Sequence, residues 1–341
     1  MTGLVLRSLS PSVAILPVAA TVILWASAFP GIRAALEGFS PLGLASLRFS
    51  LAALILLAFA WIGGGTRPLR SDIPRILMSG AAGIAAYNIA LNQGELTVSA
   101  GAASFIVSIA PIFTALLSTL FLGERVGWWG WIGMIVSLAG VGIIAQAEAG
   151  AVSLGWGAGL VLLAAFLQAL YFVLMKPLIA RYGPLQATRF AVWSGAAMLL
   201  PWLAPGVKEA AQAPAGALFA ALYLAAFPAA LAYLVWSFAL AKLPASRAAA
   251  WLYLVPPAAT AIAIAWPGEM PATASLLGGV VCLSGVLLVQ LRGRIEQAGP
   301  LAPLPSAPEQ SVLEGGHDGH HRHPKTGRIL PPPNRGGLCH G

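Results

Sequence analysis

Two arginines within long apolar stretches are the side chains of this sequence best suited to binding an anion. Arg48 and Arg189 are each followed by phenylalanine and lie away from the ends of their stretches. A charge at such depth in a membrane costs about 2.5–3.5 kcal/mol, so it should face protein or water. A guanidinium can hold a carboxylate through two parallel hydrogen bonds. The alternative is structural: each arginine snorkels, or donates to backbone carbonyls between helices.

Aromatic and amide side chains accumulate in the same apolar stretches. A pocket with aromatic walls and a few amides suits a small zwitterionic or neutral ligand. Asn88 is the strongest single candidate, because a buried amide in an apolar layer needs a partner. The other candidate contacts are Trp25, Tyr87, Asn92, Gln168, Tyr171 and Trp251. Each of them has an alternative role as a space-filling residue between helices.

The apolar stretches lack the groups that catalysis needs. All five histidines lie within residues 295–341, and no His-Glu-x-x-His motif occurs. No Asp or Glu lies in the middle of an apolar stretch, and Glu95 is assigned to a loop, which leaves no carboxylate to relay a proton. We therefore expect no enzymatic activity, no cofactor and no metal site.

The elements that carry these residues are of membrane-spanning length. Charged residues make up 9% of the chain and apolar residues 58%, with a mean hydropathy of +0.83, whereas a soluble domain has roughly 25% charged residues. Apolar runs of about 20 residues cross a membrane as helices, because their backbone groups must be paired internally. The sequence predicts an all-α integral membrane protein with ten spans: 12–34, 41–62, 74–94, 98–121, 127–146, 154–175, 184–204, 214–238, 243–266 and 273–291.

Lysine and arginine indicate the orientation of these spans. Arg67, Arg70 and Arg75 lie on the side of the N-terminus, whereas the opposite side has Arg33 and Lys208. Because cytoplasmic loops carry the excess of basic residues, both termini are predicted to be cytoplasmic. The net charge of +8 is spread over short loops and a tail, which argues against nucleic acid. The expected partners are the lipid bilayer and a small-molecule substrate, with the chain a monomer or a homodimer.

The second half of the sequence repeats the first at an offset of 145 positions. The turn with Gly123 and Glu124 returns with Gly268 and Glu269. The simplest interpretation is a helix that ends at glycine, followed by an acidic residue at the next helix's N-terminus. Pro111 returns as Pro256; each would introduce either a static kink or a hinge.

Paired glycines repeat at the same offset. Gly133 and Gly140 are seven residues apart, as are Gly278 and Gly285. Seven residues are about two helical turns, so each pair marks one face for close helix contact. We expect the two faces to pack against each other.

These motifs together resemble the EamA family of the drug/metabolite transporter superfamily. The resemblance rests on the series Ala103, Pro111, Leu122-Gly-Glu-Arg125, Gly133 and Gly140, repeated in the second half, and on Trp25-Ala-Ser-Ala-Phe29, Leu47-Arg-Phe49 and Thr97-Val-Ser-Ala-Gly-Ala-Ala103. The second repeat departs from the family at Gln168, where a tryptophan equivalent to Trp25 is often found.

The resemblance implies two inverted five-helix repeats in the cell inner membrane, 12–146 and 154–291. The distribution of basic residues predicts that residues 1–11 are a cytoplasmic N-terminus, and the composition of the Pro/Gly/His-rich residues 292–341 predicts a disordered cytoplasmic tail. The resemblance also implies export of small metabolites, amino acids or related zwitterionic and neutral compounds, by alternating access. Without a carboxylate in the middle of a stretch, transport would be facilitated, by exchange, or coupled through a group other than Asp or Glu. A receptor or assembly scaffold without transport is the alternative; a membrane enzyme lacks its parts.

Overall fold

The computed structural model describes residues 15–63, 67–98, 100–149, 155–258, 273–293 and 295–297. The first half contains helices α1 (Ile15–Ala26), α2 (Ala28–Ala35), α3 (Pro41–Gly63), α4 (Ile73–Gly80), α5 (Tyr87–Gly94), α6 (Ala100–Val107), α7 (Ala110–Leu122) and α8 (Trp128–Ala149). The second half contains α9 (Trp156–Leu199), α10 (Leu203–Gln212), α11 (Ala215–Leu224), α12 (Ala232–Lys242), α13 (Ala245–Ala250) and α14 (Thr273–Arg292). Two short strands complete these elements: β1 (Glu124–Val126) and β2 (Ile295–Gln297).

Apolar helices of membrane-spanning length dominate the fold. Within the described residues, five helical segments are long and apolar enough to cross a membrane: Ile15–Ala35, Pro41–Ala58, Ala103–Leu122, Trp156–Gln212 and Ala215–Lys242. Two further apolar segments are shorter, Trp128–Ile143 and Leu277–Arg292. The count of ten spans and their orientation stay predictions.

The segment Trp156–Gln212 contains α9 and α10, and α9 is itself divided into two helices at Gly183. The 57 residues of the segment would extend about 85 Å as one straight helix, more than twice the thickness of a bilayer core. Gly183 leaves the helical conformation, with φ 78° and ψ 164°, a region that side-chain-bearing residues rarely adopt. Pro184 follows and disfavours a helical residue before it. The sequence predicts a boundary between spans at this point, in the interval 176–183.

Two helices contain a π-helical turn at positions that the repeat relates. The turn Ala81–Ala86 joins α4 to α5, and the turn Ala225–Leu231 joins α11 to α12. Shifted by 145 positions, the first turn falls on 226–231, within the second. A π turn widens the helix and leaves carbonyls without their usual partners, which is why such turns are frequent at functional sites.

The predicted proline kinks are breaks in the helix at equivalent positions. Helix α6 ends at Val107 and α7 begins at Ala110, with Pro111 in its first turn. In the second half, α13 ends at Ala250, a 3₁₀ turn covers Trp251–Leu254, and residues 255–258, including Pro256, are helical again. Proline is tolerated in the first turn of a helix because the N–H it lacks would be unbonded there. Whether these breaks also act as hinges stays a prediction.

Helices α8 and α14 pack through the paired glycines. A Cβ built on Gly133 would lie 2.8 Å from the carbonyl oxygen of Gly285, and one on Gly140 would lie 2.7 Å from that of Gly278. Between the glycines, the Ser137 hydroxyl donates to the Cys282 carbonyl at 3.2 Å. The structure thus brings the two glycine faces together, with backbones close enough to exclude any side chain.

The strands correct the expectation of a purely α-helical chain. Strand β1 pairs with β2 in antiparallel register, Arg125 opposite Glu296. The pair lies beyond the ends of α7 and α14, where unpaired strand edges are tolerated more easily than in lipid. Residues 292–297 of the predicted disordered tail therefore contain the end of α14 and β2, because β1 offers backbone partners. Residues 298–341 lie outside the described residues, as do residues 1–14 with the predicted N-terminus.

Candidate functional site

A pocket lies between helices of both sequence repeats. The first repeat contributes the polar side chains Arg48, Tyr87, Asn88, Ser104 and Ser108, and the second contributes Gln168 and Tyr233. Apolar walls come from Trp25, Ala28, Phe29, Ile32, Leu91, Val107, Leu252 and Val255. The space is about 560 Å³ including its open mouth, within the usual size range of small-molecule sites. It is narrow, because aromatic rings pack closely behind it.

The helix irregularities position the lining residues. Tyr87 and Asn88 directly follow the first π turn, and Tyr233 follows the second by two residues. Val107 and Ser108 lie at the break between α6 and α7, and Leu252 lies in the 3₁₀ turn at the equivalent break. Both repeats therefore contribute irregular backbone to the same space, which is the arrangement of midplane sites in repeat transporters.

Arg48 lines this pocket and also braces two helices. Its side chain is buried, its Nε donates to the Leu224 carbonyl at 3.2 Å, and one terminal nitrogen donates to Asn88 Oδ1 at 3.2 Å. The guanidinium also lies 5.2 Å from the ring centre of Phe49. These two bonds use two of the five N–H donors that a guanidinium has. Both sequence interpretations of Arg48, structural and anion-binding, are compatible with this geometry.

The two amides of the pocket differ in how fully they are bonded. Asn88 accepts from Arg48 and donates through Nδ2 to the Ile84 carbonyl at 2.8 Å, so both ends of its amide are engaged. Gln168 is also buried, and its Oε1 has no hydrogen-bond partner among the described residues. A buried acceptor without a donor is costly and ready to receive one. Gln168 is therefore better suited than Asn88 to contact a ligand.

An aromatic cluster forms the closed side of the pocket. The Trp25 ring centre lies 5.4 Å from that of Trp236 and 5.6 Å from that of Tyr233, and its Nε1 donates to the Pro228 carbonyl at 3.3 Å. The Tyr233 hydroxyl donates to the carbonyl of Gly83, in the first π turn, at 2.9 Å. Tyr171 lies behind Tyr233, and its ring packs against Gly83. A Cβ on Gly83 would overlap this ring. This cluster links the two repeats.

Five of the nine predicted ligand contacts line the pocket, and four do not. Trp25, Arg48, Tyr87, Asn88 and Gln168 line it; Asn92, Tyr171, Trp251 and Arg189 do not. Asn92 instead donates to the Pro41 carbonyl at 3.0 Å and ties α5 to α3. Trp251 is half-buried beside the pocket-lining Leu252. The buried Arg189 lies with its guanidinium 5.9 Å from the ring centre of Trp193.

Glu124 caps a helix of the other repeat instead of the helix that follows it. Gly123 ends α7 in the left-handed conformation, with φ 66°, as the sequence predicts. The buried Glu124 carboxylate, however, accepts from the backbone N–H of Ala245 at 2.6 Å and of Ser246 at 3.1 Å, and from the Ser246 hydroxyl at 2.6 Å. The interpretation of Glu124 as the cap of its own next helix, α8, is therefore corrected. Gly268 and Glu269 lie outside the described residues.

A second polar contact joins the repeats. Asp72 Oδ2 accepts from Arg181 at 2.7 Å and from the Tyr182 hydroxyl at 2.6 Å, and the Leu69 N–H donates to that hydroxyl at 3.0 Å. We call Asp72, Arg181 and Tyr182 the Asp72 cluster. Since Asp72 precedes α4 and the other two precede Gly183, the cluster holds the start of a first-repeat helix to the junction between two second-repeat helices.

Glu95 lies in a loop, as the sequence predicts, but its carboxyl group is not exposed as a loop position would suggest. It follows the last residue of α5, where the sequence places a loop, but it is fully buried. Neither of its carboxylate oxygens has a hydrogen-bond partner among the described residues. The sequence signal available was its position seven residues after Asn88, which puts both residues on one face of the same helical path.

Known proteins resemble this chain over most of its length. A family model described as the EamA-like transporter family matches residues 12–146 and 155–291. A probable terminal-alkyne amino-acid exporter of Streptantibioticus cattleyicolor is 41% identical over 280 residues, which are 82% of this chain and 94% of that relative. The uncharacterized transporter YdfC of Bacillus subtilis is 41% identical over 270 residues, 79% of this chain and 88% of that relative.

Two more distant proteins are also similar to most of this chain. The uncharacterized inner membrane transporter YedA of Escherichia coli K12 is 26% identical over 292 residues, 84% of this chain and 93% of that relative. A solved crystal structure with 18% identity has a TM-score of 0.67 and covers 83% of this chain and 98% of that one, which supports the fold. The chain therefore belongs to the EamA-like transporter family, and it is a multi-pass membrane transporter.

Proposed function

We propose that this transporter exports small amino acids or related zwitterionic compounds, which bind in the pocket between the repeats. The observation that carries the proposal is that one pocket contains both a buried hydrogen-bond donor and a buried acceptor without a partner among the described residues. Arg48 offers N–H groups to a carboxylate, and the unpartnered Oε1 of Gln168 accepts from an ammonium group. The 41% identical relative named as a probable amino-acid exporter supports the same substrate class.

The rest of the pocket suits the side chain of such a substrate. Trp25, Phe29 and Val107 present apolar surface beside the polar groups, and aromatic walls with a few polar groups are typical of sites for small amphipathic ligands. Since the space is narrow, substrate entry requires the lining helices to separate. The breaks before Pro111 and Pro256 lie at the pocket and are the proposed hinges for this movement.

Access to the pocket would alternate between the two ends of the bundle. Because α6 and α7 cross the bundle, Glu95 and Glu124 lie at opposite ends of that span. The Glu124 end is closed by the bonds to α13 and by the Asp72 cluster. The other end of the pocket is at Ile32 and Leu91. Arg33 and Glu95, which are joined by a hydrogen bond, follow these two residues on their helices. If the chain has ten spans and both termini are cytoplasmic, the Glu124 end faces the cytoplasm. The pocket in this structure would then be closed on its cytoplasmic side.

The transport test uses the full-length protein in liposomes. Labelled neutral amino acids, including one with a terminal alkyne, are exchanged against internal unlabelled substrate. We expect exchange in the wild type and a half-saturation concentration roughly tenfold to a hundredfold higher in Gln168→Leu, from the loss of one substrate hydrogen bond. The control Gln93→Leu changes an exposed glutamine on α5 and should behave as the wild type.

Each outcome of this assay has a definite meaning. Binding of amino acids without exchange would favour the receptor or scaffold alternative. Wild-type kinetics in Gln168→Leu would contradict the role of this glutamine in the site.

The orientation of the chain in the membrane is tested separately, in a Cys339→Ser background. An impermeant thiol reagent should label Ala149→Cys in intact cells but not Leu69→Cys. Labelling at position 69 would refute the proposed topology.

A further inference from the structure

Glu95 is a buried carboxyl group that the proposed substrate contacts leave unexplained. Its backbone N–H donates to the Leu91 carbonyl at 2.9 Å, which places it one helical turn beyond a residue that lines the pocket. Asn88, two turns back, lines the pocket as well. The three residues share one face of the α5 path. Glu95 therefore lies on the pocket-facing side of its helix, at the end of the pocket away from Glu124.

The carboxylate of Glu95 is close to positive charges without being paired to any of them. Arg33, exposed on α2, donates at 2.7 Å to the backbone carbonyl of Glu95, not to its carboxylate. Arg48, on α3, acts on Glu95 electrostatically but donates to Leu224 and Asn88. Among the described residues, the only acid–base pair within 4.0 Å is that of Asp72 with Arg181. Among the described residues, then, the Glu95 carboxylate has neither a hydrogen bond nor a salt bridge to stabilise its charged form.

The environment of Glu95 favours its neutral form when the pocket is empty. Burial raises the pKa of the Glu95 carboxyl well above its usual value, and the charges of Arg33 and Arg48 oppose this only in part. Within the described part of the chain, Tyr87 on the same helical path also interacts electrostatically with Glu95. A buried carboxyl whose neutral form is favoured in this way can change its protonation when a cation arrives nearby.

We propose that Glu95 holds a proton in the empty pocket and that the ammonium group of the bound substrate displaces it. This inference rests on the proposed function. The substrate carboxylate lies at Arg48, and its ammonium group donates to Gln168 Oε1 on the side of the pocket that leads toward Glu95. The O–H bond of the Glu95 carboxyl breaks, the proton passes to water at the mouth of the pocket, and the carboxylate remains as counter-ion to the ammonium group.

Mutual exclusion of proton and substrate at one carboxylate has a functional consequence. One proton leaves for each zwitterion that binds, so the two cross the membrane in opposite directions in the cycle. Export of the substrate is then driven by proton entry. This coupling replaces the expectation that the chain has no carboxylate able to carry a proton.

The first test needs no substrate. Infrared difference spectroscopy of the purified full chain at pH 7 should show the carbonyl band of a buried protonated carboxylic acid in the wild type. The band should be absent in Glu95→Gln and unchanged in Glu37→Gln, a control at an exposed glutamate just after α2. A wild type without such a band, or a Glu95→Gln variant that keeps it, overturns the proposal whatever the substrate is.

The second test links the proton to the substrate. Binding of the amino acid that gave exchange, measured in weak buffer with a pH indicator, should release up to one proton per molecule bound in the wild type and in Glu37→Gln. Glu95→Gln should release none, and its affinity should lose the pH dependence of the wild type. Proton release that persists in Glu95→Gln overturns the coupling.

Two controls keep these outcomes interpretable. If Glu95→Gln fails to fold, Glu95→Asp keeps a titratable carboxyl, and its infrared band should appear shifted; an unshifted band would assign the wild-type signal to another group and overturn the proposal. If no amino acid binds to the wild type while the infrared band is present, the proposed substrate class fails and the protonated state of Glu95 stands.

Discussion

Glu124 provides the sharpest test of how the repeats are held together, because one carboxylate of the first repeat makes three hydrogen bonds to α13 of the second. Their lengths are 2.6, 3.1 and 2.6 Å, and the carboxylate is buried. Glu124→Ala removes all three bonds and leaves two backbone N–H groups at the start of α13 without an acceptor. We therefore expect a large loss of stability from a residue that contacts no substrate.

The magnitude follows from the number and type of these bonds. A hydrogen bond to a charged group contributes about 1.5–3 kcal/mol, and loss of a helix cap costs about 0.5–2 kcal/mol. The three bonds share one carboxylate, so they do not add fully, and the variant also recovers the cost of burying that charge. We expect Glu124→Ala to lower the free energy of unfolding by about 3 kcal/mol. Glu124→Gln keeps one oxygen acceptor and should cost about half as much.

A double-mutant cycle with Ser246→Ala identifies the partner of Glu124. Reversible unfolding in mixed micelles is followed by tryptophan fluorescence for the wild type, both single variants and the double variant. Since the Ser246 hydroxyl donates directly to the carboxylate, we expect a coupling energy of about 1 kcal/mol. The control Glu37→Ala changes an exposed glutamate and should alter stability by less than about 0.5 kcal/mol.

The outcome that would refute this reasoning is additivity. If the effects of Glu124→Ala and Ser246→Ala add within about 0.3 kcal/mol, and Glu124→Ala itself costs no more than the control Glu37→Ala, the carboxylate does not bond to α13 in solution. Glu124 would then act on its own next helix, α8, as the sequence alone suggests.

Two further predictions concern packing and charge. Gly140→Leu should destabilise the protein by about 1–3 kcal/mol, because the backbone of α14 occupies the space that the new side chain would need. The control is Gly142→Leu on the same helix, where a Cβ would meet its nearest neighbour at 3.8 Å. Equal melting temperatures for the two variants would contradict the contact between the helices. Burial alone would raise the pKa of Asp72, but hydrogen bonds and charges within the Asp72 cluster, with the charge of Arg75, outweigh it and lower the pKa. A lowered folded pKa gives stability that is present above the unfolded pKa of about 3.9 and is lost as pH falls through the folded value. Asp72→Asn should therefore be less stable than the wild type at pH 7, with the difference disappearing in acid; a difference independent of pH would contradict the ion pair.

The sequence alone determines the class of the protein and its internal repeat. Backbone groups in lipid must pair within a helix, so long apolar runs can be interpreted without tertiary information. The offset that relates Gly123 to Gly268 also relates the helix breaks near Pro111 and Pro256, because the local sequences of the two repeats are similar. The contact between the faces of Gly133 and Gly285 was predictable for a similar reason, since glycine spacing marks a helix face.

Only the tertiary structure decides which polar side chains share the pocket. Gln168 and Tyr171 are three residues apart on one helix, and the first lines the pocket while the second packs behind it. Glu95 belongs to a loop by sequence and is nevertheless buried, with Arg33 of α2 donating to its backbone carbonyl. Glu124 finds its partner 121 residues away. The rotation of each helix and the depth of its ends are set by contacts with neighbours distant in sequence, and no local pattern records them.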